Sequence, residues 1–267
     1  MPDPPDLPAL LELGVDLATR AGALLLDGFE TRRATVGTKT SATDMVTEID
    51  RASEGFIVKG LIERRPDDGI LGEEGASREG TTGLRWVIDP LDGTTNYLYG
   101  LPAFAVSIAV ELDGRAVVGV VADPSRDETF TAIEGGGAHR NGNPITVSGA
   151  TDLPTALVAT GFGYRRDQRA RQARVLTEVL PAVRDVRRFG SAALDLCWVA
   201  CGRLDAYYEV GIQHWDVAAG GLIALEAGAH VEGLREVGTG SDSARVIGAS
   251  PALAEPLRRL LDGAGAL

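Results

Sequence analysis

Apolar residues recur at helical spacing from Leu7 to Phe29 (Leu10, Leu11, Leu13, Leu17, Ala21, Leu24, Leu25), and Asp27-Gly28 supplies a common helix stop. A second helix is predicted from Thr47 to Arg65, closed by Pro66. Between them, Thr31 to Asp44 is polar, β-branched and carries a glycine, which reads as a loop or hairpin. From Gly69 the period shortens. Gly69-Ile-Leu-Gly-Glu-Glu and Arg85-Trp-Val-Ile-Asp-Pro are short apolar runs that end in acid, and both read as strands whose last residue is a carboxylate. Ala105 to Leu112 and Arg115 to Ala122 are joined by Asp113-Gly114, a strong hairpin signal, and Glu128 to Ile133 adds a third strand to an antiparallel meander. The glycine-rich run from Gly135 to Pro144 reads as turns, because it lacks the strand-then-helix context and the lysine of a phosphate-binding loop.

After Pro154 the pattern alternates. Strands are predicted at Ala156 to Thr160, Val186 to Phe189, Asp205 to Val210 and Arg245 to Ala249; helices at Asp167 to Val179, Ser191 to Cys201, Trp215 to Ala227 and Pro251 to Leu261. Such alternation implies mixed sheets covered by helices, an α+β or α/β chain. No repeat or long linker interrupts it, so residues 1–267 are expected to form one compact unit. Its two fused halves, about 1–150 and 151–267, join near Gly149 to Pro154.

Charge narrows the function. With 26 basic against 38 acidic residues the formal charge is −12, which excludes an electrostatic nucleic-acid binder. No apolar run nears the roughly 18 residues of a membrane span, and the acidic start lacks the pattern of a secretion signal, so a cytoplasmic location without a membrane partner is expected. Cys197 and Cys201, four apart in an apolar helix, make a poor disulfide and a weak zinc site, and read as small buried residues. Lys39 and Lys59 are the only lysines.

The candidate chemistry concentrates in Trp86-Val-Ile-Asp-Pro-Leu-Asp-Gly-Thr-Thr-Asn96. An apolar strand delivers Asp89, Pro90 fixes the next φ, and Asp92 follows three residues after the first acid, so the two carboxylates should converge. Gly93-Thr94-Thr95 then opens a helical turn with unpaired N–H groups, a ready anion site. Acids for a cation beside amides for an anion fit metal-assisted phosphate chemistry. Asp, Pro and Gly are also the usual turn formers, and read alone the segment is equally a turn. Two further acidic places shift the balance. Gly72-Glu73-Glu74-Gly75 ends another strand, and Trp215-Asp216 sets an acid where a helix begins, a natural N-cap position. A solvated strand end and a plain helix cap are the alternatives there. Were Asp50, Glu73, Asp89, Asp92 and Asp216 to converge, their charges would need bound cations. Lys39, in a loop ahead of Asp50, either neutralises phosphate or carboxylate or is an ordinary surface lysine.

These motifs resemble the inositol monophosphatase family of the fructose-bisphosphatase-like, magnesium-dependent and lithium-sensitive phosphatases, in its bacterial form. The likeness rests on Gly72-Glu-Glu, on Trp86 to Tyr97, on Gly190-Ser-Ala-Ala and on Trp215-Asp-Val-Ala-Ala-Gly-Gly-Leu-Ile-Ala-Leu-Glu-Ala-Gly-Ala, in family order from about Leu10 to the last helix. It implies a layered αβαβα sandwich, usually a homodimer, that hydrolyses a small phosphate ester, inositol 1-phosphate before others. Glu73, Asp89, the Leu91 carbonyl, Asp92 and Asp216 would hold two or three Mg²⁺ ions. Thr94, with Asp50 behind it and Glu73 beside the first metal, would orient and deprotonate water. The Gly93 and Thr94 amides, the adjoining Thr95 and Lys39 would meet the phosphate. Ser191, Ala192 and Glu209, with Asp216 nearby, would grip the ring hydroxyls. Gly161-Phe-Gly-Tyr164 replaces a serine of animal members and is similar to bacterial ones. None of His139, His214 and His230 fits a serine or cysteine triad.

Asp-Gly-Thr also ends the signature of haloacid-dehalogenase-type phosphatases, whose two acids stand at i and i+2. Here they are i and i+3, which favours activated water over a covalent aspartyl nucleophile. Histidinol-phosphate, fructose-bisphosphate and 3′-phosphoadenosine phosphatases are the rivals within the family. A regulatory or binding protein on the same fold is the non-enzymatic alternative.

Overall fold

The structure, a computed structural model, describes residues 4–34, 42–234 and 245–266. Lys39 lies outside the described residues. Two long helices, α1 (Leu7–Ala34) and α2 (Ala42–Arg64), precede the first sheet. That sheet takes β1 (Gly69–Gly72), β2 (Ser77–Arg78), β3 (Leu84–Asp92), β4 (Ala105–Leu112), β5 (Arg115–Asp123), β6 (Glu128–Ile133), β7 (Ala138–Arg140) and β8 (Asn143–Ile145), with the short helix α3 (Thr94–Tyr99) between β3 and β4. The second half contributes β9 (Leu157–Thr160), α4 (Arg166–Val179), β10 (Asp185–Arg187), α5 (Ala192–Ala200), β11 (Ala206–Val210), α6 (His214–Glu226), β12 (His230–Glu232), β13 (Arg245–Ala249) and α7 (Pro251–Gly263).

Eight strands run in the order β2-β1-β3-β4-β5-β6-β7-β8, and five in the order β10-β9-β11-β13-β12. In the first sheet β1 alone pairs parallel, against β3; in the second, β9 lies parallel to both β10 and β11. Three apolar cores separate five layers. Leu17, Leu25, Ile57, Leu61, Trp86 and Ile108 fill the space between α1, α2 and the large sheet. A second core, with Val87, Val121, Leu196, Tyr207, Val217 and Ile223, joins both sheets through α5 and α6. The third packs α4 and α7 on the outer face of the small sheet. The expected αβαβα layering is the observed one.

Several boundaries differ from those predicted. Helix α1 continues through Asp27-Gly28, because Gly28 serves a close approach: a Cβ there would lie 2.6 Å from the Tyr97 hydroxyl, which donates to the Leu25 carbonyl at 2.8 Å. Helix α2 begins at Ala42, ahead of Thr47, so residues 31–34 and 42–44 of the expected loop are helical, and 35–41 lie outside the described residues. Gly135 to Pro144 is not turns throughout. Strands β7 and β8 form a hairpin across Asn141 and Gly142, both with positive φ, and a two-residue turn of that kind matches strand twist. Strand β12 carries no residue pattern that marked it. Cys197 and Cys201 are free thiols, the first buried. Among the described residues no helix is long and apolar enough to cross a membrane.

Candidate active site

Strand β3 is buried along almost its whole length and leads straight into the site. Its pairing with β4 is regular from Leu84 to Asp89, breaks at Pro90-Leu91 and resumes at Asp92 opposite Ala105. Proline cannot donate to the ladder, and the irregularity brings Asp92 to the same cavity as Asp89. Parallel pairing sets Gly72 beside Ile88, so the next residue of each strand, Glu73 and Asp89, stand together, and the Glu73 amide donates to the Ile88 carbonyl at 3.2 Å. Their carboxyl groups share a hydrogen bond. Glu74 points elsewhere, toward Arg51 at 3.4 Å, and its amide is held by Glu54. Gly93 then turns the chain at φ +96°, where a Cβ would lie 2.8 Å from the Ala103 carbonyl, so only glycine fits.

From the second half, α6 brings Asp216 to the same cavity of about 310 Å³, and β11 brings Glu209. Asp216 is not the N-cap. Helix α6 starts one residue before the predicted Trp215, Gln213 is its cap, and Asp216 sits in the first turn, accepting from the Gln213 amide at 2.8 Å. Asp92 reaches across to α5: its Oδ2 accepts from the Ser191 hydroxyl at 2.6 Å and from the Ala193 amide at 2.7 Å. Asn96 makes a second bridge, donating to the Ala103 carbonyl at 2.7 Å and the Phe189 carbonyl at 2.6 Å.

Burial sets the electrostatics. It pushes the Asp89 carboxyl well above the usual carboxylate range, and the charges of Glu73, Asp92 and Asp216 add to the rise. Asp92 is raised to about 6 by burial, against the hydrogen bonds from Ser191 and Ala193 that favour its charged form. Glu73 and Asp216 are raised chiefly by burial as well, with Asp92 repelling both. Glu209 is raised to about 7 by burial, opposed by a 2.8 Å bond from the Tyr207 hydroxyl. Asp50, on α2, is raised to about 8 by burial and by Glu73, Glu74 and Glu54, and among the described residues its Oδ1 has no partner.

Glu73, Asp89, Leu91, Asp92, Gly93, Thr94, Ala192, Glu209 and Asp216 thus line one cavity. Asp50, Thr95 and Ser191 do not. Asp50 is buried and is not hydrogen-bonded to Thr94, whose hydroxyl donates to the Leu91 carbonyl at 3.1 Å. Thr95 is exposed and bonds the Tyr164 side chain. Ser191, expected at ring hydroxyls, is buried; it donates to Asp92 and accepts from the Leu194 amide as the cap of α5. Sequence reasoning missed Arg188, Gln168 and Arg165 on the cavity wall, and Asp195, an acid on α5 buried within electrostatic reach of Glu209 and Asp92. Consecutive Arg187-Arg188 just before Gly190-Ser was a readable signal; Gln168 and Asp195 sit in helical sequence that marks nothing.

As they stand, no three His, Cys, Asp or Glu groups among the described residues are drawn in closely enough to hold an ion. Glu73 and Asp89 are bonded to each other, and Asp92 and Asp216 to their own donors. The donor set nevertheless fits a hard divalent cation. It is all oxygen and largely buried, and burial, with mutual repulsion added, favours the protonated carboxyls whose protons a cation would displace.

Comparison with known proteins agrees. The profile of the inositol monophosphatase family matches residues 6–264. Inositol-1-monophosphatase of Mycobacterium bovis is 47% identical over 231 residues, 83% of this chain and 79% of that protein. Nus factor SuhB of Escherichia coli is 43% identical over 221 residues, 82% and 83% of the two chains. Among solved structures, Mycobacterium tuberculosis SuhB superposes with a TM-score of 0.85 at 42% identity, covering 99% of this chain and 100% of that one. Thermotoga maritima IMPase follows at 0.81 and 29% identity, covering 96% and 98%. With the layered fold, the acid-lined cavity and a match along nearly its full length, the chain belongs to the inositol monophosphatase family, phosphatases that are generally metal-dependent.

Proposed function

We propose that the chain is a Mg²⁺-dependent phosphomonoesterase whose preferred substrate is a phosphorylated polyol, inositol 1-phosphate first. The observation that carries this reading is the meeting of Glu73, Asp89, Asp92 and Asp216, from three separate places in the chain, in one cavity with Glu209 on its wall. The name of the Mycobacterium bovis relative supports the same substrate.

In this reading the four carboxylates and the Leu91 carbonyl hold Mg²⁺. Bound there, Mg²⁺ supplies the positive charge that admits an anionic ester to an acidic cavity and eases loss of a proton from water. The Gly93 and Thr94 amides receive the phosphate oxygens. The Thr94 hydroxyl leaves the Leu91 carbonyl to orient water, and Glu73, with Asp50 behind, would accept its proton. Glu209 accepts hydrogen bonds from the alcohol. Asp92 ties the two halves into one working unit through Ser191 and Ala193.

Initial rates on inositol 1-phosphate, histidinol phosphate, fructose 1,6-bisphosphate and p-nitrophenyl phosphate, with Mg²⁺ and with a chelator, test the proposal. The highest Mg²⁺-dependent kcat/KM is expected on inositol 1-phosphate. Hydrolysis of none of them, or a phosphoryl group trapped on Asp89, overturns it.

A further inference from the structure

The loop after β9 reads Gly161-Phe-Gly163, and neither glycine adopts the left-handed φ that would explain its choice. Space explains it. A Cβ built on Gly161 would coincide with the carboxylate of Glu209, and one built on Gly163 would coincide with the side-chain amide of Gln168. Two functional groups, one from β11 and one from the first turn of α4, therefore rest on bare backbone two residues apart.

Both groups face the active cavity, and Gln168 and Gly161 also border a second hollow of about 450 Å³ between α4 and the small sheet. Glu209 is held by one oxygen only. Its Oε2 accepts from Tyr207, and among the described residues no donor reaches Oε1. Gln168 makes one long bond, 3.5 Å to the Val210 carbonyl, while its neighbour Gln172 pins the loop by accepting from the Gly163 amide at 2.9 Å. A carboxylate accepts from hydroxyls, and a carboxamide both donates and accepts.

We infer that Gly161 and Gly163 form a bare rail that seats Glu209 and Gln168 as a paired reader of adjacent hydroxyl groups on the alcohol half of the substrate. Gln168 is the new contact, and the two glycines are positioning residues that act through the side chains lying on them. The inference rests on the proposed phosphatase reading, and it narrows the substrate to polyol phosphates with neighbouring hydroxyls.

The test compares KM and kcat for inositol 1-phosphate and p-nitrophenyl phosphate, in Mg²⁺, across G161A, G163A, Q168A, E209A and the double variant G161A/E209A. Each single variant is expected to raise KM for inositol 1-phosphate about 10-fold relative to KM for p-nitrophenyl phosphate, the effect of about one lost hydrogen bond, while the ratio of kcat values stays put. G161A is expected to add nothing in the E209A background, because its effect passes through Glu209. E209D, shorter by one methylene, should partly rescue G161A. If G161A does not fold, by far-ultraviolet circular dichroism, the double variant should, since the clash is gone. The inference falls if G161A leaves the KM ratio unchanged, if it costs as much with Glu209 absent as present, or if the double variant also fails to fold. Wild-type protein that does not prefer inositol 1-phosphate overturns the parent reading before any variant is made; a wild-type preference that the glycine variants leave intact overturns only the rail.

Discussion

The two sides of the cavity are built differently. On one side Glu73, Asp89 and Asp92 leave the ends of paired strands in an eight-stranded sheet, and Asp89 is 1% and Asp92 9% exposed. On the other, Glu209 leans on a glycine loop, Gln168 and Arg188 stand on a helix start and a connection, and Tyr164 beside them is 83% exposed. On the buried side strand pairing fixes the backbone that carries the acids, and their carboxylates turn toward an ion by side-chain rotation alone. On the loop side the exposed Tyr164 can change at little cost to the fold, whereas Gly161 and Gly163 cannot take a side chain without displacing Glu209 and Gln168. A rigid half for chemistry and an adjustable half for recognition is the division expected when one scaffold serves several phosphate esters.

The contrast can be broken most sharply at Asp92. Asp92→Asn should lower Mg²⁺-dependent turnover of every ester by about 10³-fold or more, the scale of a lost metal ligand. Near-normal rates would remove Asp92 from the rigid half.

Proton linkage gives the next largest effect. A buried carboxyl whose pKa is raised in the fold holds its proton more tightly than in the unfolded chain. Metal-free stability should therefore be full in acid and be lost as pH rises from the ordinary carboxylate range near about 4, through about 6 for Asp92 and about 8 for Asp50. Asp92 alone accounts for on the order of 3 kcal/mol. Chemical denaturation between pH 5 and 8 in chelator should show that slope, and saturating Mg²⁺ should flatten it; a flat profile without metal would deny that burial raises the Asp92 and Asp50 carboxyls.

On the adjustable side, Glu209→Ala should weaken inositol 1-phosphate use by about 1–3 kcal/mol in kcat/KM and cost a simple aryl phosphate far less. Equal losses would take Glu209 out of specificity. The smallest effect belongs to the seam between the halves: Ser191→Ala removes a donor to Asp92 and the cap of α5, and should cost about 1 kcal/mol of stability by denaturant titration.

Much of the rigid half was legible in the sequence because its signals are local. Apolar runs ending in acid became β1 and β3, and proline between Asp89 and Asp92 foretold the break that brings them together. The adjustable half was hard to read because its contacts are made across the chain. Nothing near Gln168 announces that its amide will lie on Gly163, and Ser191 looked like a substrate contact because its hydrogen bond to Asp92 spans 99 residues. The β7–β8 hairpin was hidden for a different reason. Three-residue strands, Ala-His-Arg and Asn-Pro-Ile, set among glycine turns carry too little alternation to separate them from turns.

The parallel neighbours β1 and β3 have one more consequence. Because Glu73 and Asp89 each follow the last paired residues of adjoining strands, the gap between them is set by the strand spacing of about 4.8 Å and not by the fifteen-odd residues that connect them. Residues 79–83 dock on the start of β1, with the Thr81 amide donating to the Asp67 carbonyl at 2.8 Å and the Thr82 hydroxyl to Asp68 at 2.7 Å, so this turn holds in place the strand pair from which both acids leave.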